Sequence, residues 1–503
     1  MRIKRMTAAV LSALLAISCT GCAAVTDLME QHNIKIPFLT GAGQENAAEG
    51  ETAAAAATGA GAETASEQEP QEELSPEEIR RQSEGKVLNI FCWDESLESL
   101  FIMYYPGYED LEDRKGRIGN VTINWVIPEE EDKYMDLVAE KLLTAEYLQP
   151  DERVDLYLAP EEDLAIYVNS DYSLDVREKV GLTDEELEDQ FAFTQQMAST
   201  DEGILKAVTW KASPGVFVYR RSIAKEVLGT DDPGAVQKEV EDWTKFQATA
   251  VAMGKKKYYM LSGYYDAFTA FRFSAEKHWE NDGTLVIPDA MMQWRNMMAT
   301  FTKNNYHNKT QIGEAEWVAD QGPSGKVFGF FRAIGDIDSR MAAYSLQDAD
   351  LAPQAGNGIY GDYAVCCGPQ TFSSGGAWIL ASPSSDNLLL DKEIMENLTC
   401  NSTLLYKIAQ NEELFTNTVS GMRRLASEGV TDPFLGGQNA IEIYYQAASR
   451  LSCLPAGNYD RWMSDTFRNS MIKSYTGEMT QDEAMEYFYQ RVGARYPELT
   501  IDN

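Results

Sequence analysis

From Lys86 onward, near-continuous apolar runs alternate with stretches of helical periodicity. Val87–Trp93 (VLNIFCW) reads as a strand buried on both faces, followed by Leu97, Leu100, Phe101 and Tyr104 at helical spacing. Val121, Ile123, Trp125 and Ile127 alternate within Gly119–Ile127, a second strand. Asp132–Tyr147 is helical, with Tyr134, Leu137, Val138, Lys141 and Leu142 on one face, and Val154–Leu158 is a third strand ending at Ala159-Pro160. This alternation predicts a parallel α/β sheet, in which ligands bind beyond the carboxyl ends of the strands. Trp93-Asp94-Glu95 and Tyr157 occupy those ends in this reading.

The middle of the chain turns on Ala207–Gly229, AVTWKASPGVFVYRRSIAKEVLG. An apolar run reaches Trp210, breaks at Pro214-Gly215 and resumes as Val216–Tyr219. A short helix follows, with Ser222 as its expected cap and Gly229 as its left-handed end. Strand, breaker, strand and capped helix suit a crossing between two lobes. Beyond it, Asp242–Ala252 is a helix, and Tyr258–Ser262 is a strand leading to Gly263-Tyr264-Tyr265-Asp266. Gly283–Ile287 precedes a helix with Met291, Trp294, Met298 and Phe301 inward. Gly325–Phe331 (GKVFGFF) is a strand, and Tyr363–Pro369 and Gly375–Ala381 read as a strand pair around a Gly/Ser turn. The last third is helical, with the box Thr480-x-x-Glu483 opening the final long helix.

The start of the chain carries a different signal. Lys4 and Arg5 precede the apolar run Ala8–Ile17, too short to span a bilayer and suited to the core of a signal peptide. Thr20-Gly21-Cys22 resembles the lipobox of bacterial lipoproteins, although Cys19 stands where Leu is usual. The expectation is a signal peptide over 1–21, lipidation at Cys22, and no later transmembrane helix. Residues from about 44 to 85 are built from Ala, Gly, Glu, Thr and Gln and cannot offset the cost of ordering their backbone, so 22–85 reads as a lipid-anchored disordered stalk.

About 420 residues remain for the body (86–503), enough for two lobes. The whole chain has 43 Lys+Arg against 79 Asp+Glu, a net charge of -36, which argues against nucleic acid and anionic ligands. Without the signal peptide and Cys22, five cysteines are left (Cys92, Cys366, Cys367, Cys400 and Cys453), with no C-x-x-C spacing. Neither a zinc site nor a full disulfide framework fits that set. Cys366-Cys367 is either a vicinal bridge or, the safer reading, two buried thiols.

The order of these motifs resembles the extracellular solute-binding proteins of ABC importers, in the carbohydrate-binding group related to maltose-binding protein. The resemblance is carried by the lipobox-like start, LNIFCWDES, VDLYLA, the Ala207–Gly229 crossing, GKVFGFF, GPQTFSSGGAWILA and DPFLGGQNAIEIYYQAA. Thr209 stands where many relatives have Pro. The resemblance implies a two-lobe periplasmic-binding-protein-like α/β fold with a ligand cleft between lobes joined by hinge crossings. Lobe 1 would span about 86–206 plus 368–408, and lobe 2 about 212–364 plus 412–503. Crossings are expected near Ala207–Pro214, Ala364–Thr371 and the Tyr406–Phe415 helix. It further implies a monomer on the extracellular face of the cell membrane, handing a sugar to ABC-transporter permease subunits, with no cofactor and no metal.

A sugar site needs aromatic platforms and planar hydrogen-bonding groups. Trp93, Trp210 and Trp378 are the leading platforms, then Tyr157, Tyr264, Tyr265, Phe330 and Phe331, and for each of them core packing is the competing reading. Trp125, Trp243 and Trp294 sit on periodic apolar faces and read as core. Asp94, Glu95 and Arg332 could bond sugar hydroxyls, with helix capping as the alternative for Asp94. Gly376 would let backbone approach the ligand. The ligand reads as a neutral oligosaccharide, with a peptide or other polar solute as the alternative. A surface glycoside hydrolase is a lesser one, since the body's two histidines, His278 and His307, stand in no catalytic spacing.

Overall fold

The computed structural model describes residues 85–455 and 457–502. The signal peptide, Cys22 and nearly all of the stalk lie outside the described residues. No described helix is long and apolar enough to cross a membrane.

Twelve strands organise the body. They are β1 (Val87–Phe91), β2 (Tyr108–Asp110), β3 (Lys115–Ile118), β4 (Val121–Val126), β5 (Leu156–Pro160) and β6 (Pro214–Arg220). Then come β7 (Leu261–Gly263), β8 (His307–Thr310), β9 (Gly329–Ala333), β10 (Tyr363–Cys366), β11 (Phe372–Ser373) and β12 (Ala377–Ala381). A separate two-stranded ribbon joins Glu280–Asn281 to Thr284–Leu285.

The first sheet has the order β12-β5-β1-β4-β3-β2. Its centre is parallel, β1 pairing with β4 and β5, as the β-α alternation predicts. Its edges are antiparallel: the β2–β3 hairpin closes one side and β12 the other. The second sheet has the order β9-β6-β10, all antiparallel, with β11 also on β6. Tyr363–Cys366 and Ala377–Ala381 therefore do not pair with each other, because β10 completes the second sheet and β12 the first. A parallel β7–β8 pair abuts the second sheet through a Tyr259–Val327 bridge.

Each segment that changes sheet is short. Val208 bridges Ile379 at the edge of the first sheet, and the chain enters β6 at Pro214. The return falls at 374–376, later than expected, because Phe372-Ser373 still pairs with Gly215 and Pro214. Gly375 (φ 76°) and Gly376 (φ 145°) supply the turn in a backbone region that other residues avoid. A third strand of chain lies alongside, where Lys211 bridges Thr416. Asn417 fastens it: its side chain donates to Thr194 Oγ1 and to the Thr209 carbonyl (both 3.0 Å) and accepts from Phe191 N (3.0 Å).

Local signals are met by local and distant partners in different measure. Gly229 ends the helix Arg221–Leu228 in the left-handed conformation, as expected. Ser222 is not its cap. Asp362, from the loop before β10, accepts from Ser222 N (2.8 Å) and from the Ser222 hydroxyl. The Thr480–Glu483 capping box opens the helix Gln481–Arg495 as read. Trp294 is fully buried, Trp125 nearly so, and Trp243 packs against the core, stacked on Phe271. Cys366 and Cys367 are both buried free thiols, and the other described cysteines, Cys92, Cys400 and Cys453, are free as well.

Gly329 in β9 shows how tightly the second sheet is filled. A Cβ there would stand 2.2 Å from the Phe217 ring, which is itself fully buried. Gly329→Ala is therefore expected to cost about 1–3 kcal/mol by overpacking, read as a lower urea midpoint.

Candidate functional site

Strand β5 runs two residues further than its apolar pattern indicates, so the residue that leaves its carboxyl end is Glu161 rather than Ala159. Glu161 lines a cavity of about 140 Å3, where the first sheet faces the helices packed around β7, β8 and the C-terminal segment. Its side chain is 7 % exposed and pairs with Arg272 of the helix Phe268–Phe273 at 2.6 Å. The second carboxylate oxygen, Oε2, is buried with no hydrogen-bond partner. Burial holds this carboxyl above the usual range even against the pull of Arg272 and Arg461. A buried acceptor left open at a cavity wall is costly unless something donates to it.

The rest of the wall is of mixed character. Trp279 contributes its ring, fixed by Nε1–H donating to Ser464 Oγ (2.8 Å) and by its backbone N–H donating to Asp460 Oδ1 (3.0 Å). Leu164, Met197, Phe273 and Met291 add apolar surface. Glu161, Glu162 and Asp460 face Arg272, Lys277 and Arg461, so the charged lining balances. Two further bonds lie beside the cavity. Cys453 N donates to Gln196 Oε1 (3.1 Å), and His278 Nε2 meets Asp201 Oδ1 (3.1 Å). Cys453 lines the cavity as well, with burial pushing its thiol up to about 12.

None of the twelve ligand contacts read from the sequence is among the cavity-lining residues. Six are core residues. Tyr157 is fully buried inside β5, its hydroxyl donating to the Tyr172 carbonyl (2.9 Å). Trp210 is 3 % exposed. Trp378 is buried in β12 and donates to the Thr194 carbonyl (3.2 Å). Tyr264 stacks on Tyr475, Phe331 packs among Phe217, Trp243 and Phe246, and Phe330 is buried beneath Arg332. These rings fill the layers between sheet and helices, which is what the periodicity records.

The others lie elsewhere. Arg332 is buried against Trp317 and 3.9 Å from Asp266, a structural ion pair. Tyr265 is half-buried beneath Arg468, and Trp93 is half-buried with its ring edge-on to Tyr134. Exposed Asp94 accepts from Ser96 N (2.9 Å) at the start of a helix, and Glu95 pairs with Arg114 (3.1 Å). Gly376 makes room for the Trp378 ring, which would lie 2.6 Å from its Cβ. The signal for Glu161 was present in the sequence, as a carboxylate directly after a strand-ending proline; that for Arg272 was not.

No family model and no curated protein matches this chain. Solved structures do match. A crystal structure of an extracellular solute-binding protein of family 1 superposes with a TM-score of 0.67 at 14 % identity, covering 82 % of this chain and 100 % of that one. The chain has the two-lobe fold of the extracellular solute-binding proteins. The sugar-binding protein MalE from Xanthomonas citri gives a TM-score of 0.60 at 14 % identity, over 81 % of this chain and 97 % of its own. A Staphylococcus aureus extracellular solute-binding protein in complex with maltose gives 0.56 at 13 % identity, over 82 % and 99 %. The cavity lies beyond the carboxyl end of β5, an inner strand of the first sheet, a position where open α/β sheets commonly bind ligands.

Proposed function

We propose that the chain is a lipid-tethered solute-binding protein that captures a neutral oligosaccharide between two lobes and delivers it to an ABC-transporter permease. The observation that carries this reading is the unpartnered Glu161 Oε2 at the wall of a charge-balanced cavity, in a fold shared with a sugar-binding protein and with a solute-binding protein in complex with maltose. A sugar hydroxyl would donate to Glu161 Oε2, the Trp279 ring would offer an apolar face, and the balanced charges would leave a neutral ligand free of net repulsion. The cavity is small beside the roughly 300–1,000 Å3 of common ligand pockets, so an oligosaccharide would enter with the lobes apart. Closure would then follow from contacts to both lobes that the open form lacks. Lobe 1 would hold the first sheet and lobe 2 the second, with hinges at 208–213, 374–376 and beside Thr416. The lipid anchor and the extracellular location rest on the Thr20-Gly21-Cys22 pattern.

A thermal-shift screen against neutral mono- and oligosaccharides tests the proposal. Ligand at a hundredfold its dissociation constant should add about 2.7 kcal/mol to stability and raise the melting temperature visibly. A rise with one sugar class and no turnover supports capture. Silence across all sugars points to a peptide or other polar solute, and cleavage of the sugar during the assay makes the chain a hydrolase.

A further inference from the structure

His278 holds two carboxylates at once. Its Nδ1 lies 2.5 Å from Asp460 Oδ2 and its Nε2 3.1 Å from Asp201 Oδ1. A carboxylate only accepts, so both contacts are hydrogen bonds at once only when both ring nitrogens carry hydrogen, as in the imidazolium. The two acids come from segments that pack in different parts of the fold. Asp201 lies in the Ser199–Leu205 turn, which is bonded to Val176 and continues to Val208 at the first sheet's edge. Asp460 opens the helix Asp460–Tyr475, which packs with Asp289–Asn304 and Gln481–Arg495. Asp460 and Lys277 both line the cavity, so the His278 bonds sit at its border.

We propose that His278 is a latch between the two lobes, closing over the cavity as an imidazolium between Asp460 and Asp201 and releasing Asp201 when it loses its proton. The inference rests on the reading that the lobes move against each other, and it adds a pH dependence to that motion. The halves of the latch differ in kind. Asp460 uses Oδ1 for Trp279 N and Oδ2 for His278, which fixes the His278–Trp279 strip to one lobe. Asp201 is the bond across, and its side chain is 62 % exposed, so water can replace it. The turn carrying Gly457 is shaped to this contact: a Cβ there would stand 2.4 Å from Asp460 Oδ2 and 2.6 Å from His278 Nδ1.

Neighbouring charges are paired elsewhere. Lys277 meets Asp289 at 3.5 Å and Arg461 meets Asp465 at 3.0 Å, leaving Asp460 and Asp201 to act on the imidazole. Together they lift its pKa from 6.5 to about 8, Asp460 foremost. A raised histidine pKa means the bond is fully present below about 6.5 and lost as pH rises through about 8.

Cys453, whose thiol and backbone lie at the same border, reports opening. The test is iodoacetamide alkylation of Cys453 in the full chain without sugar, followed by mass spectrometry and expressed as the ratio of His278→Gln to wild type at each pH. The ratio cancels the thiol's own ionisation. It should be about two- to fivefold at pH 7, the range of a partly exposed ion pair, and fall to one by pH 9.5. Asp201→Asn, which spares the Asp460 half, should behave alike. A ratio of one at pH 7 for Asp201→Asn, or a ratio above one that does not decline with pH, overturns the latch. If His278→Gln unfolds, buried Cys92 and Cys366 alkylate with Cys453, and Asp201→Asn alone then decides. Sugar binding is read separately by thermal shift, so failure of the latch leaves the capture reading standing.

Discussion

Trp210→Ala is expected to lower the stability of the body by about 3–5 kcal/mol, the cost of deleting a buried tryptophan and leaving a cavity. The ring is 3 % exposed, with Lys211 Nζ 5.6 Å from its centroid. Its backbone is held as well, the Trp210 carbonyl accepting from Asn417 N at 2.9 Å. The residue therefore braces the segment that crosses between sheets. Urea unfolding should show a lower midpoint with an unchanged slope. Affinity per folded molecule should stay as it was for any sugar that binds. An unchanged midpoint with weakened binding would return Trp210 to the role of a stacking platform.

Glu161→Ala should cost about 3 kcal/mol, because it strands Arg272 without its partner in a mostly buried setting. Arg272 is 26 % exposed, so water relieves part of the loss and the lower end of the usual range applies. Glu161→Gln keeps the volume and an acceptor oxygen and should lose less. The two variants separate structure from binding. If the open oxygen of Glu161 receives a sugar hydroxyl, both lose affinity, whereas only the alanine form loses much stability. A Glu161→Gln protein that binds every sugar like wild type would remove Glu161 from the site. Combining Glu161→Ala with Arg272→Met measures the pair itself, since the double variant removes both charges and should recover part of the loss.

Much of the architecture is legible in the sequence. Val87–Phe91, Val121–Val126 and Leu156–Pro160 lie within two residues of their apolar runs, and the parallel centre followed from the helices between them. The resemblance to solute-binding proteins was carried by such runs in order, and the fold agrees with it. The β2–β3 hairpin leaves little trace in the sequence because Tyr108–Ile118 is mostly polar and exposed, with little hydrophobic contrast.

The site was less legible, and Trp378 and Glu161 show why. An apolar period states that a face is covered without stating by what. Trp378 lies in a predicted strand just past the Gly/Ser turn, a position fit for a ligand, yet its ring is covered by Gly376 and the Thr194 region. Glu161 is one acid among 79 acidic residues and becomes distinct only once Arg272, 111 positions away, is brought beside it. Asp362 likewise bonds the start of the Ser222 helix across 140 positions, which local spacing cannot anticipate.

By itself, then, the sequence determined most of the succession of strands and helices, the helix ends at Gly229 and Thr480, and the core placement of Trp125, Trp243 and Trp294, because each depends on neighbours within a turn or two. The tertiary structure alone decided that β12 joins the first sheet and β10 the second. It also decided that Glu161, Arg272, Trp279 and His278 meet at one cavity. Those pairings are set by how distant segments pack, and a chain read in one dimension holds no distance between them.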